Sequence, residues 1–394
     1  MRILSRLVTG AAVAAAAVAM VAAPALADPP TGVTPRAVDV VGVGSDTIQN
    51  VFDQFSIDYN KTLTKAKSPR LYSWDALNPK TGLTDNITAK AGCAKAPRPN
   101  GSSAGIDAAT GGALALTANT KTKTKTFCTD FARSSRGFTP PGDPSPGPGG
   151  IQFLPFAQDA VTYATNGVTN APAKLTTAQL AAIYTCVDTN WNQVGGKNAP
   201  INAQLPQTGS GTRKFFLTAV GSGTAITPGS CVNASAGEQA GAGKNFPQEN
   251  EGVNKYLQGP NVIYPYSIGK YIAEVFHSAK CLNVRCSPVR GVICKPKKGQ
   301  NRFGCDTHGK MVLRSINGTK PTVGTGAKQT INPKFSAAFR RLVYVVVRWA
   351  ASQPGNVPKN LQKTFGPKGF ICTSKTAHAD LINYGFLSLG KSCQ

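Results

Sequence analysis

Gln207-Thr208-Gly209-Ser210-Gly211-Thr212-Arg213 is a glycine-rich turn that runs directly into an apolar segment beginning at Phe215. Two similar turns lie upstream, Gly44-Ser45-Asp46-Thr47 and Gly101-Ser102-Ser103-Ala104-Gly105. Each sets small hydroxyl residues beside glycine just ahead of a stretch with helical character. The first turn of a helix has N–H groups without intrahelical partners, and its dipole favours negative charge. Such a turn is therefore able to hold an oxyanion. One such turn serves equally well as an ordinary cap. Three in one chain point to anion binding.

The chain begins with a targeting segment. Arg2 and Arg6 form a basic region, Leu7 to Ala23 an apolar one, and Ala25-Leu26-Ala27 a small-x-small cleavage site. Cleavage after Ala27 is expected, with no cysteine there to carry a lipid. No later stretch approaches the roughly 18–20 apolar residues of a membrane span, so a soluble, exported, monomeric protein is expected. Its 394 residues suffice for two lobes with separate cores. With 43 basic against 18 acidic residues, the net charge of +25 favours acidic partners: phosphate-like ions, cell-wall polymers or anionic surfaces. Spread-out lysines that only maintain solubility are the plainer explanation of the same balance.

Ten cysteines in an exported chain imply disulfides. The spacing leaves their connectivity open. Local pairing would join Cys93 with Cys128, Cys186 with Cys231 and Cys372 with Cys393, and leave Cys281, Cys286, Cys294 and Cys305 to pair among themselves. Cys305-x-x-His308 has the spacing of a zinc ligand pair, but export favours disulfides, and no metal or cofactor is expected.

Asp39 to Val43 reads as a buried strand entering the first glycine turn. Ile48, Val51, Phe52, Phe55 and Tyr59 recur at helical spacing after it, with Ser45 or Asp46 as the cap. Strands are expected near Leu71 to Trp74, over Phe127 to Ala132 and within Ile151 to Thr165. The proline- and glycine-rich run 137–150 is a loop. Leu175 to Tyr184 carries a capping box, Thr176 with Gln179, and is a helix. Gly241-Ala242-Gly243-Lys244-Asn245 lacks the spacing and the Ser/Thr of a nucleotide loop. Leu342 to Arg348 reads as a strand and Ala377 to Tyr384 as a short helix. Strands alternating with helices give an α/β class.

In this order the motifs resemble the phosphate-type solute-binding proteins of ABC importers, which have the type II periplasmic-binding-protein fold. The resemblance covers much of residues 38–275. It rests on Val41-Gly42-Val43-Gly44-Ser45-Asp46-Thr47, Gly101-Ser102-Ser103-Ala104-Gly105-Ile106, Asp130-Phe131-Ala132-Arg133-Ser134-Ser135, Asn190-Trp191-Asn192, Gly209-Ser210-Gly211-Thr212, Asn250-Glu251-Gly252-Val253 and Tyr266-Ser267-Ile268-Gly269-Lys270. It implies two α/β lobes, the first about 36–160 plus 272–394 with a basic insertion at 280–330, the second about 161–271. It also implies an anion between them, a hinge and an importer permease as partner. The contacts it implies are Thr47 with its neighbouring backbone, Ser103, Ser210, Gly211 and Thr212; Ser45, Asp46, Ser102, Arg133, Ser135 and Arg213 complete the candidate ligand set.

Two positions depart from the family. Pro206 stands where its arginine precedes the Gly-Ser-Gly-Thr loop; Arg213 is the nearest guanidinium, and Arg133 and Arg136 are the alternative sources of the charge. Ser135 stands where its aspartate accepts the proton of hydrogen phosphate, and Asp46 is the expected substitute. A phosphatase is the enzymatic alternative. The three histidines, His277, His308 and His378, lie far from the glycine turns in sequence, and there is no Gly-x-Ser-x-Gly elbow. The turn serines therefore read as donors. A polyanion-binding or cell-wall-binding module is the other alternative, drawn from the net charge.

Overall fold

The run Val40-Val41-Gly42-Val43-Gly44 is apolar on both faces, so it is stable only inside a sheet covered on both sides. It forms the buried strand β1 (Val40–Gly44) of the computed structural model, which describes residues 28–30, 32–78, 84–110, 117–118, 125–233, 247–277 and 307–390. The expected signal segment, the rejected nucleotide loop, most of the basic insertion with Cys281, Cys286, Cys294 and Cys305, and Cys393 lie outside these residues.

A nine-stranded sheet contains β1 together with β2 (Leu71–Ser73), β3 (Phe131–Ser134), β4 (Ile151–Asn166), β5 (Asn202–Ala203), β6 (Val262–Ser267), β7 (Met311–Leu313), β8 (Arg340–Arg348) and β9 (Leu387–Ser388). Its order is β5-β6-β4-β8-β3-β1-β2, with β7 and β9 also on β4. The β1–β2, β1–β3 and β5–β6 pairs are parallel, and those of β8 with β3 and β4 antiparallel. The helices that matter for the site are α1 (Gln49–Lys61), α2 (Ser102–Thr110), α3 (Thr177–Tyr184), α4 (Gly211–Val220) and α5 (Ile268–Ile272).

The fold is two-lobed. One apolar cluster gathers Val40, Phe52, Phe55, Leu71, Phe131, Phe156 and Val343. A second gathers Leu180, Ile183, Trp191, Phe216, Ile263 and Ile268. Each fully buried side chain of this size contributes about 1.5–3 kcal/mol, so each half has a core of its own. The sixteen-residue strand β4 serves both: Ile151 to Ala160 pair with β8, and Val161 to Ala164 with β6. The described chain passes between the cores at Ala157–Ala160 and at Phe339–Val343, and the neighbours Ile272 and Ala273 pack in different cores.

The passage at Phe339–Val343 departs from the expected lobe assignment. Residues 272–394 were assigned as a whole to the first lobe, but Ile316, Ile331, Phe335 and Phe339 pack in the second core. The reason is that β7 pairs with Ala164 to Asn166, the end of β4 that already lies there. β3 begins at Phe131 rather than Phe127, and Cys128 just before it is tied to Cys93. The Cys186–Cys231 bond also forms as expected, and Cys372 is disulfide-bonded. Thr176 and Gln179 make the capping box read from the sequence. At α1 the expected cap is absent: Ile48 precedes the helix without a side-chain cap bond, and the carbonyl of Asp46 accepts from Gln49 N–H at 3.1 Å. No helix among the described residues is long and apolar enough to cross a membrane.

Candidate functional site

The three glycine turns meet between the lobes. β1 ends into Gly44-Ser45-Asp46-Thr47, β3 ends into Ser135, α2 begins at Ser102, and α4 begins after its cap Ser210. The Ser45 hydroxyl donates to Ser135 Oγ at 3.1 Å, and Ser135 N–H donates to Ser102 Oγ at 3.0 Å. From the other side, α4 presses its first residue onto this pair. A Cβ at Gly211 would sit 2.4 Å from Ser135 Oγ and 2.5 Å from Ser102 Oγ, so only glycine fits. At Gly101, φ is +91° and an added Cβ would lie 2.7 Å from the carbonyl oxygen of Gly209. Glycine there is required both by the backbone conformation and by the approach of the facing turn.

The donors converge on one atom. Glu249 Oε1 accepts from Thr47 Oγ1 at 2.6 Å, from Thr212 N–H at 3.1 Å, from Ser135 Oγ at 3.5 Å and from the Thr212 hydroxyl. Thr212 Oγ1 in turn accepts from Arg341 Nη2 at 2.9 Å, and Thr47 Oγ1 stands 3.5 Å from the same nitrogen. Arg341 is buried and pairs with Asp159, its Nε at 3.0 Å and Nη2 at 2.8 Å both donating to Oδ2. Asp159 also accepts from Ser267 Oγ at 2.8 Å and from Gly269 N–H at 3.0 Å.

The structure brings together Ser45, Thr47, Ser102, Ser135, Gly211 and Thr212, and directs the other expected contacts elsewhere. Asp46 faces Lys270 Nζ and Asn250 Nδ2, both at 3.1 Å. Burial lowers the Lys270 ammonium pKa, but Asp46 and Glu274 outweigh it and hold the group above its ordinary value. Arg133 lies beneath the first turn, donating to the carbonyls of Ser45, Gly44 and Trp74 and to Ser73 Oγ. Burial pulls its guanidinium below the ordinary value, against the opposing effect of Asp75 and Asp53. Arg136 is paired with Asp143 and, with Lys214, donates to Ser103 Oγ. Arg213 donates to the carbonyl of Pro206 at 3.1 Å, and Ser210 Oγ is engaged as the cap of α4.

Arg341 and Glu249 were missed from the sequence. A signal for Arg341 existed: it shares parity with Val343, Val345 and Val347, so it falls on the buried face of β8, where a charge needs a reason. Glu249 adjoins the quoted Asn250-Glu251-Gly252-Val253 segment, whose buried polar density was the only hint. In that segment Glu251 accepts from Gln248 N–H and Asn254 Nδ2, and burial pushes its carboxyl up to about 7.

A fold of two lobes joined through the long strands β4 and β8, with helix starts facing one point between them, is that of a solute-binding protein. Residues 29–275, more than half of the chain, match the PBP superfamily domain, and the chain belongs to that family. Solved structures are similar at low identity. An ABC-type phosphate transport receptor from Vibrio cholerae is 16% identical, with 89% of this chain and 99% of that one covered and a TM-score of 0.49. A putative phosphate ABC transporter substrate-binding protein with bound phosphate from Clostridium perfringens gives 16%, 89%, 99% and 0.49. Family membership rests on the domain match and not on these two likenesses.

Proposed function

We propose that this is an exported solute-binding protein that captures phosphate or a related tetrahedral oxyanion between its lobes and delivers it to an ABC importer permease. The observation that carries the proposal is the convergence of Thr47, Ser135 and Thr212 on Glu249 Oε1. A carboxylate oxygen is chemically an oxyanion oxygen, so Glu249 marks the point at which these donors hold one. The donors come from β1–α1, β3 and α4, hence from both lobes, and Arg341 reaches the same point from β8. An anion held there is gripped from both sides, with the chain passages at 157–160 and 339–343 as the hinge. The lobes then comprise about 36–160 with 340–394, and about 161–271 with 311–339.

The hydroxyls act as donors and not as nucleophiles. Their acceptor is a carboxylate, while His378 lies against the carbonyl of Cys372 and His308 against Tyr271. Calorimetry with phosphate, sulfate, arsenate and phosphonates tests the reading. A dissociation constant below about 1 mM for at least one is expected, since weaker binding is worth less than about 4 kcal/mol. The net charge of +25 supports capture of an acidic cell-wall polymer as a second reading. Polymer binding that collapses with added salt while small anions fail to bind would favour it.

A further inference from the structure

The residue at the centre of the cradle belongs to the chain itself. Glu249 is buried, its Oε1 takes the donors of Thr47, Ser135 and Thr212, and its Oε2 is buried without a hydrogen-bond partner among the described residues. Its backbone is pinned. Glu249 N–H donates to Gln207 Oε1 at 2.8 Å, Gln248 Oε1 accepts from Asn100 Nδ2 at 2.6 Å, and Tyr264 and Tyr266 donate to the carbonyls of Gln248 and Asn250. The segment therefore stays in place within its lobe, and with the lobes closed it is rotation of the Glu249 side chain that moves the carboxylate.

The donor count decides what an entering anion must do. The Thr47, Ser135 and Thr212 hydroxyls and the Thr212 amide each carry a single hydrogen. The two threonine hydroxyls and the Thr212 amide point at Glu249 Oε1, and the Ser135 hydroxyl is shared between that oxygen at 3.5 Å and Ser102 Oγ at 3.3 Å, so a second oxyanion finds no free donor among them. The two anions would also repel each other in a site shielded from water. We propose that Glu249 is an internal ligand of the cradle, and that an oxyanion binds by taking its place on Thr47, Ser135 and Thr212 instead of joining it. This rests on the anion-binding reading of the same site. The apparent dissociation constant is then the intrinsic one divided by the fraction of molecules whose cradle Glu249 has left. Glu249 thereby sets a threshold that weak oxyanion ligands, such as free carboxylates, do not pass.

The full mature chain is compared with Glu249→Ala and Glu249→Gln by two measurements. The first is hydrogen exchange at the Thr212 amide with no anion added. Exchange at least about tenfold faster in Glu249→Ala is expected, with Glu249→Gln intermediate because its amide oxygen still accepts. The second is calorimetric titration with inorganic phosphate. Affinity at least about tenfold tighter in Glu249→Ala is expected, which corresponds to a cradle free in no more than about a tenth of wild-type molecules. Unchanged or weaker phosphate binding in both variants would overturn the proposal and make Glu249 a bystander or a co-ligand. Should no form bind phosphate, the anion-binding reading fails. The exchange measurement then decides alone, and equal rates at Thr212 in all three proteins would refute internal ligation. Glu249→Gln preserves shape and covers the case in which the alanine variant does not fold.

Discussion

Arg341→Ala separates the two tasks that the structure gives to one guanidinium. The side chain neutralises Asp159, which is fully buried, and donates through Nη2 to Thr212 Oγ1. Breaking a buried ion pair by removing one partner costs about 3–5 kcal/mol, because the remaining charge is left uncompensated. Asp159 retains Ser267 Oγ at 2.8 Å and Gly269 N–H at 3.0 Å, which places the loss near the lower end, at about 3 kcal/mol. Anion binding loses a charge-assisted contact worth about 1.5–3 kcal/mol, or about ten- to a hundredfold in affinity. The double variant Arg341→Ala/Asp159→Ala should recover much of the stability, since no orphaned carboxylate remains, and none of the affinity. Urea denaturation followed by circular dichroism gives the first quantity, and calorimetry with phosphate the second. A folded Arg341→Ala protein that binds phosphate within twofold of wild type would refute the placement of Arg341 in the site. So would recovery of affinity in the double variant.

Stability should fall as pH rises from about 4.5 to about 7 and level off above that. The Glu251 carboxyl, at about 7 in the folded chain through burial against an ordinary 4.5, keeps its proton when the unfolded chain has lost it. Glu251→Gln should remove roughly 3 kcal/mol of that pH dependence, measured as urea midpoints at pH 5 and pH 8. Gly101→Ala places a Cβ 2.7 Å from the carbonyl of Gly209 at a φ of +91° and should push the facing turns apart. About 1–3 kcal/mol of stability and a measurable part of the anion affinity should be lost; an affinity equal to wild type would show that this contact does not set the grip.

The local elements were legible because their causes are local. The capping box at Thr176 and Gln179, the apolar stripe Val51-Phe52-Phe55-Tyr59 and the glycine turns each act within a few residues of themselves. What could not be read depends on residues far apart in sequence. Arg341 reaches Thr47 across 294 positions, and Glu249 reaches the same hydroxyl across 202. Arg213, Arg133 and Arg136, the guanidiniums that neighbour the motifs in sequence, are each committed to carbonyls or to Asp143. Asp46 was expected to face the ligand because it sits inside the first turn. Its carboxylate is instead drawn to Lys270, which α5 carries to within 3.1 Å. Position in a turn fixes the backbone of a residue, whereas the nearest buried opposite charge fixes where its carboxylate points.

The charge balance of the site differs in sign from that of the chain. The whole sequence carries +25, a field that raises the local concentration of every anion without distinguishing among them. At the cradle, among the charged groups bonded to Thr47, Ser135 and Thr212 or to one another, the balance is one guanidinium, Arg341, against two carboxylates, Asp159 and Glu249. Discrimination is therefore a contact property. An oxyanion that leaves Glu249 in place adds a further negative charge to a site already negative, and the penalty grows as the site is shielded from water. One that displaces Glu249 enters a site in which Arg341 and Asp159 cancel and the N–H and O–H donors of α4 and the first turn decide the energy. The long-range field and the displaced carboxylate thus act on different quantities, the rate of encounter and the identity of the anion retained.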